Sequence, residues 1–149
     1  MITDRTLNDV TEAKKIRASK IQKFIELTDE ETAIVEKGLI TLNTLNRIEI
    51  KQAEVDSMLY RMGYTGGEIV NKYWSNATYF NEYDLQRIVD NVATLRKKFF
   101  VVADTPRNPK SRFDYIEFNN IEKILVDIET MIDDMKSYYR ECDTFYCGE

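Results

Sequence analysis

Residue types that carry most enzyme chemistry are few in this chain of 149 residues. There is no histidine, which excludes Ser–His and Cys–His nucleophilic pairs and removes the commonest general base and metal ligand. Two carboxylate pairs remain as candidates, namely Asp133 with Asp134, and Glu49 with Glu122. Adjacent acids on a helix are usually solvated, and the second pair falls at equivalent positions of the internal repeat described below. Shared helix architecture explains that equivalence better than catalysis does, so we predict that the chain is not an enzyme and has no catalytic residue.

Other candidate sites are weaker. Cys142 and Cys147 leave a tetrahedral metal site half empty when no histidine is present, so we predict reduced thiols. Gly66-Gly67 lacks the following lysine and hydroxyl residue of a phosphate-binding loop, and it predicts a turn. The aromatic cluster around Trp74 is either a platform for stacking a sugar or a cover for the ends of a helical core, and the second interpretation is favoured. We therefore expect no metal and no cofactor, and we do not favour a small-molecule ligand.

The net charge of -5 is unevenly distributed along the chain. Acids dominate from Val126 to Glu149, whereas the stretch from Arg96 to Arg112 is basic. The basic stretch is either a nucleic-acid patch or a solvated loop. The acidic net charge repels phosphate at long range, so we favour the loop and expect no nucleic-acid partner. We predict a contact surface formed by Tyr73, Trp74, Arg96, Lys97, Lys98, Arg107, Lys110 and Arg112.

The elements that position these residues follow an internal repeat. Three segments align with spacings of 40 and 33 residues: Leu45–Glu49, Leu85–Val89 and Phe118–Glu122. Four residues before each segment stand Thr41, Asn81 and Asp114, all of which can cap a first helical turn. The third cap is followed by Glu117 in the spacing of a capping box. The sequence therefore predicts three capped helices.

Apolar residues follow each cap at alternating spacings of three and four, which is typical of one face of an amphipathic helix and equally of a coiled-coil seam. This packing stripe contains Leu45, Ile48, Val55 and Leu59, then Leu85, Ile88, Val92 and Leu95, then Phe118, Ile121, Leu125, Ile128 and Ile132. Gln52 interrupts the stripe. It either points to solvent or is buried with a partner that fixes the register, and both alternatives remain open.

Two shorter helices are predicted before the repeats. Thr6 precedes a helix over residues 7–26, and Thr28 opens a capping box with Glu31. We expect Gly38 to end the second helix in the left-handed conformation, and Gly63 to do the same after the first repeat. We thus assign an N-terminal helical segment to residues 1–38 and a three-repeat helical domain to residues 39–149, which together form one compact unit.

The connectors between the repeats are long. The first, Gly63–Phe80, is rich in aromatic residues, and the second, Phe100–Phe113, begins with strand-like composition and contains Pro106 and Pro109. Either connector can run back along a helix, so parallel and antiparallel arrangements both remain possible. The predicted fold is an all-α bundle of four or five helices, with three repeated capped helices and long aromatic or extended connectors.

Several short motifs carry a family resemblance. They are Ile2–Thr6, Leu27–Glu31, Leu45–Glu49, Met62–Tyr64, Asp104–Pro106, Asn119–Leu125 and Cys147–Glu149. In this order they resemble minor structural, tail-associated proteins encoded by phages and prophages of Gram-positive bacteria. The resemblance implies a tail or baseplate component, assembled in the bacterial cytoplasm, located in the virion and bound to other phage tail proteins. It implies no catalytic residues.

We therefore expect a non-enzymatic structural or adaptor protein that self-associates into a homo-oligomer. One hypothesis for its association is that the basic stretch of one subunit meets the acidic C-terminal segment of the next. The alternative function is a small acidic helical regulator that binds and inhibits a host or phage protein. No apolar run approaches the ~18–20 residues of a membrane helix, and the N-terminus lacks a signal-peptide pattern, so no membrane partner is expected.

Overall fold

The computed structural model describes residues 1–142, with side chains up to Tyr138. Over these residues the chain is all-α, as the sequence predicts, and it contains no strand. The helices are α1 (Leu7–Ser19), α2 (Asp29–Gly38), α3 (Leu42–Arg61), α4 (Glu82–Lys98) and α5 (Tyr115–Cys142). A short 3-10 turn, Ile21–Lys23, follows α1. None of the helices in this described part is long and apolar enough to cross a membrane.

Helices α3, α4 and α5 share one hydrophobic core. Every residue of the packing stripe is buried in it, and Trp74, Val89, Phe99 and Ile124 complete it. Burial of each aliphatic side chain contributes about 1.5–3 kcal/mol, so the stripes of the three helices supply most of the driving force for folding. The stripe thus packs within the chain, where it explains the spacing of three and four without a partner helix.

The three core helices run parallel to one another. Polar pairs between them advance in the same direction along both helices: Glu49–Arg87, Gln52–Asn91 and Asp56–Lys98 between α3 and α4, and Arg47–Glu122 and Lys51–Glu129 between α3 and α5. Consecutive parallel helices require a connector that returns the chain to the starting end. The α3 helix of 20 residues is about 30 Å long, and roughly nine extended residues span that distance, so the long connectors are sufficient.

The first connector makes this return against α3 and α4. Its residues meet the helices in descending order, with Lys72 at Glu49 and then Trp74 at Asn46. The connector is therefore antiparallel to the helix on which it lies. Tyr64, Trp74 and Phe80 of this connector pack against the core, whereas Tyr73 and Tyr79 are exposed. Trp74 contacts Phe80 edge to face.

The N-terminal caps follow the repeat in two copies and depart from it in the third. Thr41 and Asn81 each form a reciprocal capping box with the residue three positions later. Asp114 accepts a hydrogen bond from the backbone N–H of Ile116 at 3.1 Å, but Glu117 does not reach back to it. Instead the Glu117 carboxylate accepts from the backbone N–H of Lys110 at 3.0 Å. The predicted capping box of the third copy is therefore wrong, because the second connector occupies its carboxylate.

Helices α1 and α2 form a hairpin with its own small core. Ala13 and Val35 are buried between them, and neither belongs to the core of the bundle. The predicted helix over residues 7–26 ends earlier, at Ser19, because the residues after it have nothing to pack against and are exposed. Reciprocal capping boxes at Thr6 and Thr28 begin the two helices.

Gly38 has a different role from the predicted one. It is the last residue of α2 and is not left-handed, whereas Gly63 has the expected positive φ of 86°. A Cβ atom at Gly38 would lie 2.2 Å from the carbonyl oxygen of Asp9 and 2.5 Å from the Cβ of Ala13. The glycine is therefore required for close contact between α1 and α2, which the sequence pattern alone does not reveal.

Candidate functional site

The buried carboxylate of Glu49 lies between α3, α4 and the first connector. Arg87 donates to both of its oxygens, at 2.9 and 2.5 Å, and the indole N–H of Trp74 donates at 3.1 Å. The backbone N–H of Lys72 completes the set at 3.2 Å. Hydrogen bonding to Glu49 raises the pKa of Arg87 above its ordinary value. A buried charge is tolerated only when it is paired and hydrogen-bonded, and Glu49 satisfies both conditions.

Glu122, at the equivalent repeat position of α5, is bound in the same way by other residues. Arg5 and Arg47 each donate a guanidinium N–H to its Oε1 at 2.9 Å, and the backbone N–H of Ile2 donates to Oε2. The side chains of Arg5 and Glu122 are both fully buried. The two glutamates proposed from sequence as a carboxylate pair thus each hold a separate extended segment of the chain.

An asparagine three residues before each glutamate completes a repeated device. Asn46 accepts from the backbone N–H of Trp74 at 2.7 Å and donates to its carbonyl at 2.9 Å. Asn119 likewise accepts from the backbone N–H of Arg5 at 3.3 Å and donates to the carbonyl of Arg5 at 2.9 Å. We call each pair, Asn46 with Glu49 and Asn119 with Glu122, a clamp. Residues three apart lie on the same face of a helix, so the clamp satisfies backbone groups that an extended segment leaves unpaired.

The second repeat copy, in α4, lacks a clamp. Gln86 and Val89 occupy the equivalent positions of α4, and Asn120 of α5 replaces the arginine that stands at Arg47 and Arg87. An ion pair between α4 and α5 would need a glutamate at Val89 and an arginine at Asn120, and both are absent. The loss of the carboxylate is thus matched by the loss of its cation. The second connector is held instead by Glu117, which also lies 3.7 Å from Arg107.

A polar layer crosses the core between α3 and α4. Gln52 is fully buried, donates to the carbonyl of Ile88 at 2.9 Å and accepts from the side chain of Asn91 at 3.1 Å. Asn91 also binds the backbone of Val70, donating to its carbonyl at 2.9 Å and accepting from its N–H at 3.3 Å. Of the two alternatives for Gln52, the structure shows burial with a partner. Asn91 was not predicted, and its place on a helix among apolar residues was the only sequence signal for it.

The predicted contact surface includes two aromatic residues with opposite positions. Tyr73 is 76% exposed, but Trp74 is only 1% exposed, so Trp74 does not belong to a contact surface. Its indole packs at the end of the core, and the ammonium of Lys72 lies 4.5 Å from the ring centroid. Adjacent residues of an extended segment point in opposite directions, which explains the difference.

Three residues of the basic stretch, Lys98, Arg107 and Arg112, pair with acids of the same chain, but the side chains of Arg107 and Arg112 remain mostly exposed. Lys98 pairs with Asp56 of α3 at 2.5 Å, and its side chain is only 9% exposed. It lies there because α4 ends beside α3. Arg112 pairs with Asp114, whose pKa is held below its ordinary value by the Ile116 backbone N–H and then by Arg112. The exposed lysines of the stretch are Lys97 and Lys110.

An open cleft of about 610 Å³ lies at the end of the bundle where α4 begins. We call it the aromatic cleft. Its apolar walls are Tyr79, Phe80, Leu85 and Phe113, and its rim carries Glu82 and Arg112. The rings of Phe80 and Phe113 contact each other with centroids 5.8 Å apart, which joins the two connectors. Tyr79 is 84% exposed and forms the outer wall.

Within the part of the chain that the structure describes, no group of three His, Cys, Asp or Glu residues could hold a metal ion. Cys147 and the last acids, Asp143 and Glu149, lie outside the described residues, as do the side chains of Glu141 and Cys142. No protein-family model matches this chain, and neither does any curated protein or any solved structure.

Proposed function

We propose that the protein is a non-enzymatic structural or adaptor component of a bacteriophage or prophage tail. The ordered motifs described above support the tail assignment. One observation supports a structural role in particular: the buried charged and amide groups of both clamps are directed at the chain's own backbone. The polar chemistry of the helices is thus used to hold extended segments in place.

The surface supports action through protein contacts. Several large aromatic residues are exposed, among them Tyr73, Tyr79, Tyr83, Phe24 and Phe100. Aromatic residues are enriched where proteins bind one another, because a rigid ring contributes a large contact area at little entropic cost. We propose that these residues bind other copies of the chain and other tail proteins.

Deletion of the gene from the phage or prophage that encodes the protein tests this function. We expect particles with defective or missing tails in electron micrographs, and recovery when the gene is supplied in trans. A regulator of a host or phage enzyme would instead leave the particles intact and change only the timing or yield of lysis. Intact, infective particles from the deletion strain would contradict the proposal.

A further inference from the structure

The turn between α1 and α2 presents an unusual aromatic residue. Phe24 is 97% exposed and has a left-handed backbone, with φ 57° and ψ 33°. This conformation is uncommon for residues other than glycine and asparagine, and it is costly for a bulky side chain. Ile21 and Ile25 beside it are also exposed. We call Ile21, Phe24 and Ile25 the hairpin tip.

Hydrogen bonds and an ion pair define the backbone of the hairpin tip. The backbone N–H of Ile25 donates to the carbonyl of Lys20 at 3.0 Å, and Lys20 pairs with Glu31 of α2 at 2.6 Å. The capping box of Thr28 fixes the start of α2 immediately after the turn. A strained residue persists only where the structure around it determines its conformation. The backbone around Phe24 therefore directs its side chain to solvent.

The tip cannot reach the aromatic cleft of its own molecule. The base of the hairpin, at Leu7 and Gly38, lines a depression shared with Phe113, which is also a wall of the cleft. The tip lies at the other end of α1, and a helix of 13 residues is about 20 Å long. The hairpin tip and the aromatic cleft are therefore separated by the length of α1.

We propose that the hairpin tip of one copy inserts into the aromatic cleft of a second copy. This inference rests on the self-association in the proposed function and names the surfaces that carry it. The cleft volume of about 610 Å³ is within the range of pockets that enclose a small apolar ligand. Because the hairpin tip and the aromatic cleft are different surfaces of one molecule, the contact is head to tail and generates rings or filaments.

Charges beside the two surfaces are complementary. The exposed residues Lys23 and Glu26 flank the tip, and Glu82 and Arg112 stand at the rim of the cleft. Lys23 beside the tip can pair with Glu82 of the cleft, whereas Arg112 already pairs with Asp114 of its own chain. Such pairs at the edge of an interface fix its orientation more than they add affinity.

Phe24→Gly tests the tip without disturbing the fold. Glycine is favoured at a positive φ, so the variant is expected to unfold at the same temperature or a higher one. Light scattering across a concentration series should show that it remains a monomer while the wild-type chain associates. Tyr60→Ala is the matched control, because Tyr60 is exposed on α3 and outside both surfaces. It should associate like the wild type. Unchanged association of Phe24→Gly, or a wild-type chain that is monomeric at every concentration, would overturn the proposal.

A mixing experiment tests the head-to-tail geometry. Ser111→Arg places a long side chain in the cleft, so this variant and Phe24→Gly should each be monomeric alone. Mixed together, they retain one intact tip and one intact cleft, and they should form a complex of one copy of each and nothing larger. Absence of that complex would overturn the proposal. The chain could still be present in virions in that case, so failure of the inference is distinguishable from failure of the proposed function.

Discussion

Glu122 shows how a buried charge organises this molecule. Its carboxylate is fully buried and is neutralised by Arg5 from the N-terminal segment and Arg47 from α3. Removing a carboxylate from water costs several kcal/mol, and its partners must be supplied by the fold. The same interaction therefore depends on three parts of the chain and fixes where the N-terminal segment lies.

Replacement of Glu122 should be among the most destabilising single changes in the chain. Glu122→Ala leaves the buried guanidinium of Arg5 without its carboxylate, and we expect a loss of about 3–5 kcal/mol in the free energy of unfolding. Arg47→Ala should cost less, because Arg47 is partly exposed and Arg5 still neutralises Glu122. Urea titrations followed by circular dichroism measure both values.

Glu129→Ala provides a control for that comparison. Glu129 pairs with Lys51 at 2.9 Å, but both side chains are partly exposed and Lys51 retains Glu54 as a partner. Surface pairs of this kind contribute at most about 1 kcal/mol. A loss for Glu122→Ala no larger than that for Glu129→Ala would contradict the role of the buried ion pair.

Single residues were predicted from sequence only where their signal is local. Thr28, Thr41 and Asn81 cap helices through contacts three residues away, and such contacts are visible in a sequence. The partner of Glu122 is Arg5, which is 117 positions distant, and no local pattern links them. The clamps were missed for the same reason, although Glu49 and Glu122 were recognised as equivalent positions.

Among the elements, the α1–α2 hairpin depends on one glycine. Gly38→Ala forces a Cβ atom against the backbone of Asp9, and we expect a loss of about 1–3 kcal/mol through overpacking. Hydrogen exchange should accelerate in α1 and α2 and remain unchanged in α3, α4 and α5, because the hairpin core is separate.

Gly63→Ala is the comparison for that variant. Gly63 has open space around the position of a Cβ atom but a φ of 86°, so its cost of about 1–2 kcal/mol arises from the backbone alone. Faster exchange should then be confined to the end of α3 and the first connector. Acceleration in the bundle core by Gly38→Ala would show that the hairpin is not a separate packing unit.

The hairpin should also lose stability in acid. The Thr6 hydroxyl and backbone N–H lower the pKa of Asp9 from 3.8, and Lys20 followed by the Thr28 backbone N–H lowers the pKa of Glu31 from 4.5. A depressed folded-state pKa stabilises the protein above the unfolded value, and this contribution is lost as pH falls through the folded-state pKa. Hairpin stability should therefore decrease below about pH 4.5.

Amide exchange measured at several pH values tests this dependence. Protection in α1 and α2 should fall below about pH 4.5. A variant combining Asp9→Asn with Glu31→Gln should lose this pH dependence, because neither amide titrates. An acid-induced loss of protection that is equal in wild type and variant would exclude these two carboxylates as its cause.

At the scale of the whole molecule, the sequence predicts the helices but not their direction. The caps and the packing stripe depend on residues three or four apart, and both are visible in the chain. The parallel arrangement depends on where Lys72 and Trp74 of the first connector contact α3. These contacts are made by backbone groups, which every residue carries, so composition does not reveal them.

The combination of parallel helices and clamped segments suits a structural component. The first connector lies along α3 and α4 and is fixed at several backbone groups, so unfolding it exposes the buried carboxylate of Glu49. The exposed aromatic residues are left for contacts with other molecules. We expect a rigid subunit whose tip and cleft, and not its core, determine assembly.

Quantitative mass spectrometry of gradient-purified phage particles tests the proposed function most directly. We predict that peptides of this chain are present in the particles, in constant ratio to known tail proteins across the gradient fractions and after a high-salt wash. Peptides found only in the lysate, or removed from the particles by the wash, would contradict a structural role in the tail.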